Sequence, residues 1–465
     1  MMKAYVCLSV LIAFLITVPL IVIPAYIGFS IPDRRIILEG ERDAELEENT
    51  FYIILNAYYL FFILGNVLPF TFLVVRSTFA RMNLKNHRKN GKSGDISTEP
   101  NIFGDGKYPR ISIIIPCYNE SRNVGQAISN CFNQTYRGEI EVIVIDDGSR
   151  DSTWSISRIF KGKSDRNMVK IFHKENGGKA SALTFGANHA SGPIILMTDG
   201  DSRMDKNAVA EIVETFRTYP DAGIVGGFVT IRNTFTGYLT KLQQLEYVIT
   251  QHVVRISQSD DGSVLIAPGP IFGMRTDLAR MFPPLDRTVV EDCDLTMSVL
   301  STGYTTRAAV KARSYTEAPA SWKGWLNQRR RWIYGQFQAW RENRWHLKHN
   351  PWGLYTYFTW LSTTLSAVIF MISMAVTGIF LIGGGSFYSF MEFIALRTIM
   401  LMIFYFGIRM FIILQYGETR KLIHYLPLKT FYDIINGFHT AYLYFMYISG
   451  LGIKLKWGHR RVVIH

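Results

Sequence analysis

Long apolar runs lie towards both ends of the chain, and a more polar stretch lies between them. Residues 4–30 and residues 51–75 contain no charged side chain, and each run is long enough for a helix that crosses a bilayer. Further apolar runs lie at residues 352–382 and 393–415, and a last one lies at about 428–453. This pattern predicts two transmembrane helices before the polar stretch and two or three after it.

The charges that flank the first two runs predict the orientation of the chain. The loop between these runs is mostly acidic, with three arginines, whereas the segment that begins at Arg76 is more strongly basic. Because basic loops stay on the cytosolic side, we expect the N-terminus and the segment from Arg76 inside, with the acidic loop outside. Five spans would place the basic C-terminal tail outside, although the same rule prefers it inside. Four and five spans therefore both remain open.

Short apolar runs alternate with helix-like segments along the polar stretch. Four nearly continuous apolar runs are typical of buried parallel strands, and they lie at residues 111–116, 141–145, 169–172 and 193–197. Segments that resemble helices separate them, at residues 122–132, 151–161 and 179–190. This alternation predicts an α/β fold with a Rossmann-like, mainly parallel sheet and right-handed crossovers.

Polar residues follow each of the four predicted strands. In open parallel sheets, ligands bind beyond the carboxyl ends of the strands. At these positions the sequence carries Tyr118 to Glu120, Asp146 and Asp147, Asn176 to Lys179, and Asp199 with Asp201. Polar groups at successive strand ends therefore predict one binding site at this edge of the sheet.

Two of these strand ends suit a metal-bound diphosphate. Asp199-Gly200-Asp201 places two carboxylates around a glycine, and such hard oxygen ligands suit Mg²⁺ or Mn²⁺ that is also bound by substrate phosphates. Asn176-Gly177-Gly178-Lys179 offers backbone N–H groups and a cation at the start of a helix, which suits a phosphate. The alternatives are a solvated acidic loop and an ordinary glycine turn.

Two later segments carry further candidate groups. Glu291 to Thr296 opens a predicted helix, where carboxylates favour the helix dipole, and the alternative is that Asp292 removes a proton from an acceptor hydroxyl. Gln328 to Trp332 lies in a basic, tryptophan-rich stretch that is typical of an amphipathic helix at a membrane interface. In the alternative interpretation, Arg331 neutralises a leaving diphosphate and Trp332 offers an apolar face to a sugar ring.

Composition narrows the class of protein. The chain has 465 residues, a formal net charge of +13 and four cysteines. Its basic residues are spread out and form no DNA- or RNA-binding motif, so membrane anchoring explains the charge better than nucleic acid does. The cysteines lack zinc-ligand spacing and are too scattered for a disulfide framework. The polar stretch is therefore compatible with a reducing cytosol.

Five short motifs follow one another along the chain. They are Ile145-Asp146-Asp147-Gly148-Ser149, Asn176-Gly177-Gly178-Lys179, Asp199-Gly200-Asp201, Glu291-Asp292 and Gln328-x-x-Arg331-Trp332. In this order and spacing they resemble the motifs of processive inverting glycosyltransferases of family 2. That family includes the poly-N-acetylglucosamine, chitin-oligosaccharide and hyaluronan synthases. The resemblance covers about residues 110–345 and implies a cytosolic domain of the GT-A fold, flanked by transmembrane α-helices.

The resemblance and the apolar pattern together divide the chain into four parts. We expect residues 1–76 to hold two transmembrane helices with an acidic extracytoplasmic loop, and residues 77–320 to form the cytosolic GT-A domain. Residues 321–350 are expected to form an amphipathic interfacial helix with the Gln-x-x-Arg-Trp motif. Residues 351–465 are expected to hold the C-terminal transmembrane region and the basic tail.

The resemblance also implies a role for each candidate site residue. Asp292 is the implied catalytic base and Asp201 the implied ligand of Mg²⁺ or Mn²⁺. The implied donor-binding residues are Pro116, Tyr118, Glu120, Asp146, Asp147, Gly178, Lys179, Asp199, Gln328 and Arg331, and the implied acceptor-binding residues are Gly269, Pro270, Glu291 and Trp332. Among the donor-binding residues, Asp146 or Asp147 would meet the uracil edge, and Lys179 would lie on the diphosphate side.

The implied activity is a processive β-glycosyl transfer from a UDP-sugar, with UDP-N-acetylglucosamine favoured. A single displacement would invert the anomeric centre and lengthen a glycan acceptor. The enzyme would be a multi-pass protein of the cell membrane, with its catalytic domain in the cytosol, and Arg409 would line an export channel. Accessory export subunits are further expected partners. Two alternatives remain: a non-processive enzyme that adds one sugar to a lipid, and a membrane transporter or scaffold with an inactive transferase domain.

Overall fold

The chain divides into two compact units. One unit is Arg81–Leu354, called here the central unit, and the other combines Met1–Ala80 with Tyr355–His465, called here the terminal unit. The computed structural model describes residues 68–90, 108–164, 167–282, 287–347, 350, 354, 406–414, 417–449, 453–457 and 460–464. The candidate site residues all belong to the central unit.

The central unit is built on one nine-stranded sheet. Its strands are Ile111–Cys117 (β1), Ile140–Asp146 (β2), Gly162–Ser164 (β3), Asn167–His173 (β4), Ile194–Met197 (β5), Arg203–Met204 (β6), Ala222–Ile231 (β7), Phe272–Arg275 (β8) and Thr305–Thr316 (β9). Their order across the sheet is β3-β4-β2-β1-β5-β8-β7-β9-β6. Strands β4, β2, β1 and β5 are parallel neighbours, which confirms the four strands predicted from the apolar runs.

The rest of the sheet is mixed in direction. Strand β8 runs antiparallel to both β5 and β7, and the edge strands β3 and β6 are antiparallel to their neighbours. Only β7 and β9 add a parallel pair. The prediction of a mainly parallel sheet is therefore right for β1, β2, β4 and β5 and wrong for the mixed remainder of the sheet. Strand β7 was not predicted from the sequence, because Gly226 and Gly227 interrupt its apolar pattern.

The α-helices include Leu68–Asn90 (α1), Val124–Phe132 (α2), Thr153–Arg158 (α3), Lys179–His189 (α4), Ala208–Thr218 (α5), Tyr238–Thr250 (α6), Ile256–Asp260 (α7), Thr276–Met281 (α8), Glu291–Leu300 (α9), Trp322–Leu347 (α10) and, in the terminal unit, Leu426–Ile448 (α11). Residues of α2 and α5 belong to the core on one face of the sheet, and residues of α4, α8 and α9 to the core on the other. A π-helical turn, Gln251–Arg255, separates α6 from α7. Helices α2, α3 and α4 confirm the three helical segments predicted between the strands.

The packing of α4 on β1 determines the position of Lys179, the first residue of α4. Side chains alternate across a strand, so Ile113 and Ile115 belong to the core on one face of the sheet and Ile114 to the core on the other. A Cβ atom on Gly186 would lie 2.6 Å from Cγ2 of Ile114, so α4 approaches β1 more closely than a side chain would allow. This contact fixes the helix whose first residue is Lys179.

The described part of the terminal unit contains α11 and an antiparallel hairpin. The hairpin pairs Ile453–Trp457 (β10) with Arg460–Ile464 (β11). Arg409 Nη2 lies 2.6 Å from Asp433 Oδ2 on α11, and Lys429 pairs with the same carboxylate. Arg409 therefore has an acidic partner, and its role in lining a channel stays a prediction.

Most of the predicted transmembrane runs lie outside the described residues. This holds for residues 4–30, and for most of residues 51–75, 352–382 and 393–415. The run at about 428–453 forms α11 and the start of the hairpin. Across the helices that the structure describes, none has both the length and the apolar character needed to cross a bilayer.

Candidate active site

Lys179 connects two acidic segments at the carboxyl edge of the sheet. Its Nζ atom lies 2.6 Å from Asp199 Oδ1, after β5, and 2.7 Å from Glu291 Oε1, at the start of α9. Burial alone would lower the pKa of Lys179, but the neighbouring carboxylates raise it above its usual value. Burial alone would also raise the pKa of Glu291, yet Lys179 holds it below the usual range. The Lys179 ammonium and the Glu291 carboxylate are therefore charged near neutral pH.

Asp292 lies in the same pocket, next to this ion pair. Its Oδ2 atom accepts a hydrogen bond of 2.8 Å from the Gly269 N–H, and Oδ1 accepts one of 2.8 Å from the Cys293 N–H. Burial and the negative charge of Glu291 raise the pKa of Asp292 to about 6. A carboxylate with a raised pKa in a cleft is suited to accept a proton from a hydroxyl group.

Gly269 allows the acidic and basic groups to converge. A Cβ atom at this position would lie 3.2 Å from Asp292 Oδ2, 3.3 Å from Lys179 Nζ and 3.8 Å from Asp199 Oδ2. Any larger residue would therefore occupy the centre of the site. The pocket is lined by Lys179, Leu183, Met197, Thr198, Asp199, Gly269, Phe272, Glu291, Asp292 and Leu295. The sequence did not single out its apolar wall, because leucine, methionine and phenylalanine resemble ordinary core residues.

A second acidic group is centred on Asp201. Burial and the charge of Asp199 raise the pKa of Asp201. Burial likewise raises the pKa of Glu120, and both aspartates add to the effect. Such mutual repulsion would be relieved by a bound cation, so these residues fit Mg²⁺ or Mn²⁺. Within the described residues, no group of three or more His, Cys, Asp and Glu side chains is placed to hold a metal alone.

Asp147 organises the glycine turn before α4. Its carboxylate accepts hydrogen bonds from the N–H groups of Gly177 (3.0 Å) and Gly178 (2.7 Å) and pairs with Lys174 Nζ at 2.6 Å. The N–H groups of Gly177 and Gly178, which the sequence suggested as phosphate ligands, therefore already donate hydrogen bonds to Asp147. Gly178 has a φ of 88°, which explains the glycine at this position.

The neighbouring Asp146 is also buried. Its Oδ2 atom lies 2.6 Å from Nδ1 of His173, and its Oδ1 accepts a long hydrogen bond of 3.3 Å from the Ser149 N–H. Both predicted uracil-binding aspartates therefore have partners within the chain, and their contact with a nucleobase stays a prediction. Lys174 and His173 were missed because basic residues at the end of a strand are common.

The segment after β1 borders the Asp201 loop. A Cβ atom on Gly200 would lie 3.3 Å from Pro116 O and 3.3 Å from Glu120 Cγ, so the two loops pack closely. Asn119, between Tyr118 and Glu120, is the only non-glycine residue of positive φ (57°) among the described residues. Its side chain accepts a hydrogen bond from the Arg150 N–H. Pro116 and Glu120 thus lie beside Gly200, and the lining of the Lys179 pocket includes neither of them nor Tyr118.

Helix α10 carries the three later candidate residues. The charge of Arg331 contributes to the lowered pKa of Glu291, so this arginine acts on the pocket. Gln328 Oε1 is buried and accepts no hydrogen bond from the described residues. The Trp332 ring is supported by Arg329, whose Cζ lies 4.6 Å from the ring centroid. Trp325 is fully buried, and the placement of this helix at a membrane interface stays a prediction.

Comparison with protein families decides the class of this site. Residues 112–282 match the family model for glycosyl transferase family 2. Residues 112–282 therefore belong to a family 2 glycosyltransferase domain. The match begins in β1 and ends just after α8, so it includes Lys179, Asp199 and Asp201. Asp292 and Arg331 follow the matched part of the glycosyltransferase domain and lie on α9 and α10.

Relatives of the glycosyltransferase domain are found among bacterial proteins. An N-acetylglucosaminyltransferase of Azorhizobium caulinodans is 29% identical over 285 residues, which cover 58% of this chain and 70% of that protein. A poly-β-1,6-N-acetyl-D-glucosamine synthase of Staphylococcus aureus is 29% identical over 241 residues, covering 52% and 57%. The probable glycosyltransferase YdaM of Bacillus subtilis is 29% identical over 231 residues, covering 49% and 55%. The chain thus spans between about half and 70% of the length of these relatives.

A solved structure shares the fold of the glycosyltransferase domain. The mannosyltransferase PcManGT from Pyrobaculum calidifontis, in complex with GDP-Man and Mn²⁺, has a TM-score of 0.55 and 17% sequence identity. The superposition covers 86% of this chain and 99% of that chain. The likeness establishes a GT-A-like mixed α/β fold.

Proposed function

We propose that this chain transfers a sugar from a nucleotide-activated donor to an acceptor hydroxyl group, with inversion at the anomeric carbon. The observation that carries the proposal is the convergence of Lys179, Asp199 and Asp292 around Gly269. These residues are separated by as much as 113 positions in sequence, from Lys179 to Asp292 (292 − 179), and meet within one pocket. Their meeting place at the carboxyl edge of the sheet is where α/β folds bind ligands.

Asp292 is the proposed catalytic base. The acceptor oxygen forms a bond to the anomeric carbon, while the carboxylate of Asp292 takes the hydroxyl proton. The bond from the anomeric carbon to the diphosphate oxygen breaks, and the electron pair leaves with the nucleoside diphosphate. One displacement of this kind converts an α-linked donor into a β-linked product. The raised pKa of Asp292 makes it a stronger base than an ordinary carboxylate.

The charged groups around Asp292 are proposed to stabilise the leaving group. Lys179 and Arg331 both act on Glu291 and supply positive charge on that side of the pocket. Asp201 is the proposed ligand of Mg²⁺ or Mn²⁺, with Glu120 and Asp199 contributing negative charge close by. When bound, such a cation offsets the charge of a diphosphate. The buried Gln328 Oε1 is proposed to accept a hydrogen bond from a hydroxyl or amide group of the nucleotide-sugar.

UDP-N-acetylglucosamine is the proposed donor. The support comes from relatives that are named N-acetylglucosaminyltransferase and poly-β-1,6-N-acetyl-D-glucosamine synthase. The proposal extends to a multi-pass protein of the cell membrane that lengthens a glycan processively and couples elongation to export. The long apolar runs on both sides of the domain support membrane attachment. Addition of one sugar to a lipid is the alternative, and product length on a gel distinguishes the two.

The experiment is a release assay with a panel of UDP-sugars. The full chain in membranes is incubated with each donor, with Mg²⁺, Mn²⁺ or excess chelator, and free UDP is measured together with radiolabelled product. We expect UDP release from UDP-N-acetylglucosamine that stops on chelation and is matched by β-linked product. Release of no UDP from any nucleotide-sugar, with the protein folded, would overturn the proposal and favour an inactive transferase domain.

A further inference from the structure

Asp294, two residues after Asp292, forms a buried cluster outside the pocket. Arg287 Nε donates to Asp294 Oδ2 and Arg287 Nη2 donates to Oδ1, both at 2.6 Å. Asn343 Nδ2 donates to the same Oδ1 at 2.8 Å. The aspartate thus accepts three hydrogen bonds while its side chain is almost fully buried. A bidentate arginine fixes the direction as well as the position of a carboxylate.

The cluster joins α9 to α10. Asn343 belongs to α10, where its Nδ2 also donates to Ala339 O at 2.8 Å. Its Oδ1 accepts a hydrogen bond of 3.2 Å from Ser298 Oγ on α9. Arg287 Nη2 donates to the same Ser298 hydroxyl at 3.0 Å. The connection therefore has two points on α9, one turn apart, which restricts rotation of that helix about its axis.

A close helix contact complements this cluster at the start of α9. A Cβ atom on Gly335 of α10 would lie 2.5 Å from Cγ2 of Val290, the residue before Glu291. The Val289 N–H donates to Gln338 Oε1 of α10 at 3.1 Å. The first turn of α9, which carries Asp292, is thereby held against the helix that carries Gln328, Arg331 and Trp332.

We propose that Asp294, through Arg287 and Asn343, is a positioning residue that holds the catalytic carboxylate of Asp292 against the Gly269 loop. This inference rests on the proposed function, because it assigns the cluster to the same transfer reaction. Buried ion pairs contribute little net stability compared with apolar packing, but they can specify one arrangement. Here the arrangement specified is the orientation of the α9 first turn relative to α10. Capping of the helix dipole alone would not require the bidentate arginine or Asn343.

The test compares Asp294→Asn with Asp277→Asn in the full-length protein. Asp277 is the control, because it also lies in the first turn of a helix and pairs with an arginine, Arg275, but its side chain is exposed and it does not line the pocket. Misplacement of a catalytic group by about 1 Å costs about 10²-fold in rate. We expect kcat of Asp294→Asn to fall by about that factor while the donor KM stays within about threefold, and Asp277→Asn to match the wild type.

Two further readouts separate positioning from general destabilisation. The Gly269 amide, which donates to Asp292, should exchange its proton with solvent faster in Asp294→Asn than in the wild type. In Asp277→Asn its exchange rate should equal that of the wild type. Arg287→Lys keeps the charge but loses the bidentate contact, and we expect an intermediate kcat at unchanged protein yield.

The outcomes distinguish this inference from the proposed function. An unchanged kcat and an unchanged Gly269 exchange rate in Asp294→Asn would overturn the positioning role. Equal losses in kcat and in donor affinity, shared by Asp277→Asn, would do the same by indicating general destabilisation. A wild type that transfers no sugar would overturn the proposed function, whereas the Gly269 exchange rates would still decide whether Asp294 positions Asp292.

Discussion

One ammonium group sits among three carboxylates at the candidate active site. Lys179 pairs with Asp199 and Glu291, and its charge also lowers the pKa of Asp292 against the larger, opposing effects of burial and Glu291. Arg331 adds positive charge and Asp201 and Glu120 add negative charge nearby, so negative charge exceeds positive charge around the site. An anionic diphosphate would be repelled by this arrangement on its own, so donor binding should depend on an added cation.

The raised pKa of Asp292 predicts the pH dependence of transfer. A general base acts only when it is deprotonated, so activity is present above the pKa of Asp292 and lost as the pH falls through it. We expect kcat/KM to decline around pH 6, whereas an ordinary aspartate would remain active to about pH 4. The measurement is a pH profile of kcat/KM on membranes, with stability monitored at each pH. An acid limb below about pH 4.5 would contradict the assignment.

Lys179→Met tests how the ammonium group controls Asp292. Removing the positive charge should raise the pKa of Asp292 further, so the acid limb of kcat/KM moves to higher pH. Activity should also fall, by about 10²-fold, because the charge that offsets the leaving group is lost. The control is Lys161→Met, which removes an exposed lysine after α3 that does not line the pocket. An acid limb that stays in place in Lys179→Met would mean that Lys179 does not act on the base.

At the scale of the elements, a buried glutamate ties the amino ends of the central strands together. Glu141 of β2 is 1% exposed. Its carboxylate pairs with Lys170 Nζ of β4 at 2.5 Å and accepts hydrogen bonds from Ser112 Oγ of β1 (2.6 Å) and the Ser191 N–H (2.8 Å). Burial alone would raise the pKa of Glu141, but these partners outweigh burial and lower it.

Glu141→Gln should destabilise the fold without touching the active site. The loss of a charged acceptor with three partners is expected to cost about 2 kcal/mol. Because the pKa is lowered in the folded state, the stabilisation is present near neutral pH and disappears as the pH falls below the ordinary carboxyl range. Thermal unfolding at pH 7 and pH 3.5 measures both effects. An equal Tm for variant and wild type at pH 7 would contradict this account of Glu141.

Gly335→Ala tests the contact between α9 and α10. The added methyl group would overlap Val290, so we expect a loss of about 1–3 kcal/mol in stability and a lower kcat. Gly324→Ala is the matched control in the same helix, because its Cβ would meet only Ser321 and Pro319, at 3.2 and 3.3 Å. Unfolding and transfer assays measure both variants. A Gly335→Ala protein as stable and as active as the wild type would show that the two helices can separate without consequence.

The sequence predicted the elements with regular patterns and missed the connections between distant residues. Continuous isoleucine and valine runs revealed β1, β2, β4 and β5, and the polar residues after them marked the edge where Lys179 and Asp199 meet. The glycine-interrupted β7 could not be recognised, since its burial depends on neighbouring strands. The cluster of Arg287, Asp294 and Asn343 was missed because residues far apart in sequence meet there only in the fold.

At the scale of the whole molecule, the glycosyltransferase domain is one of two units, and apolar runs occupy much of the other. Membrane attachment remains a proposal, and the number of spans stays a prediction. Tagging each loop and testing its accessibility in sealed vesicles would distinguish four spans from five. If the donor is a cytosolic nucleotide-sugar, as proposed, the same experiment should place the central unit on the cytosolic face.

The role of Asp292 as catalytic base is tested most directly by measuring UDP binding and sugar transfer together in Asp292→Asn. The amide keeps the shape of the side chain but accepts a proton poorly, so transfer should fall by at least about 10²-fold. Metal-dependent UDP affinity should stay within about threefold of the wild type, since Lys179, Asp199 and Asp201 are unchanged. Asp277→Asn is the control, with both quantities as in the wild type. Transfer by Asp292→Asn at the wild-type rate would contradict the account.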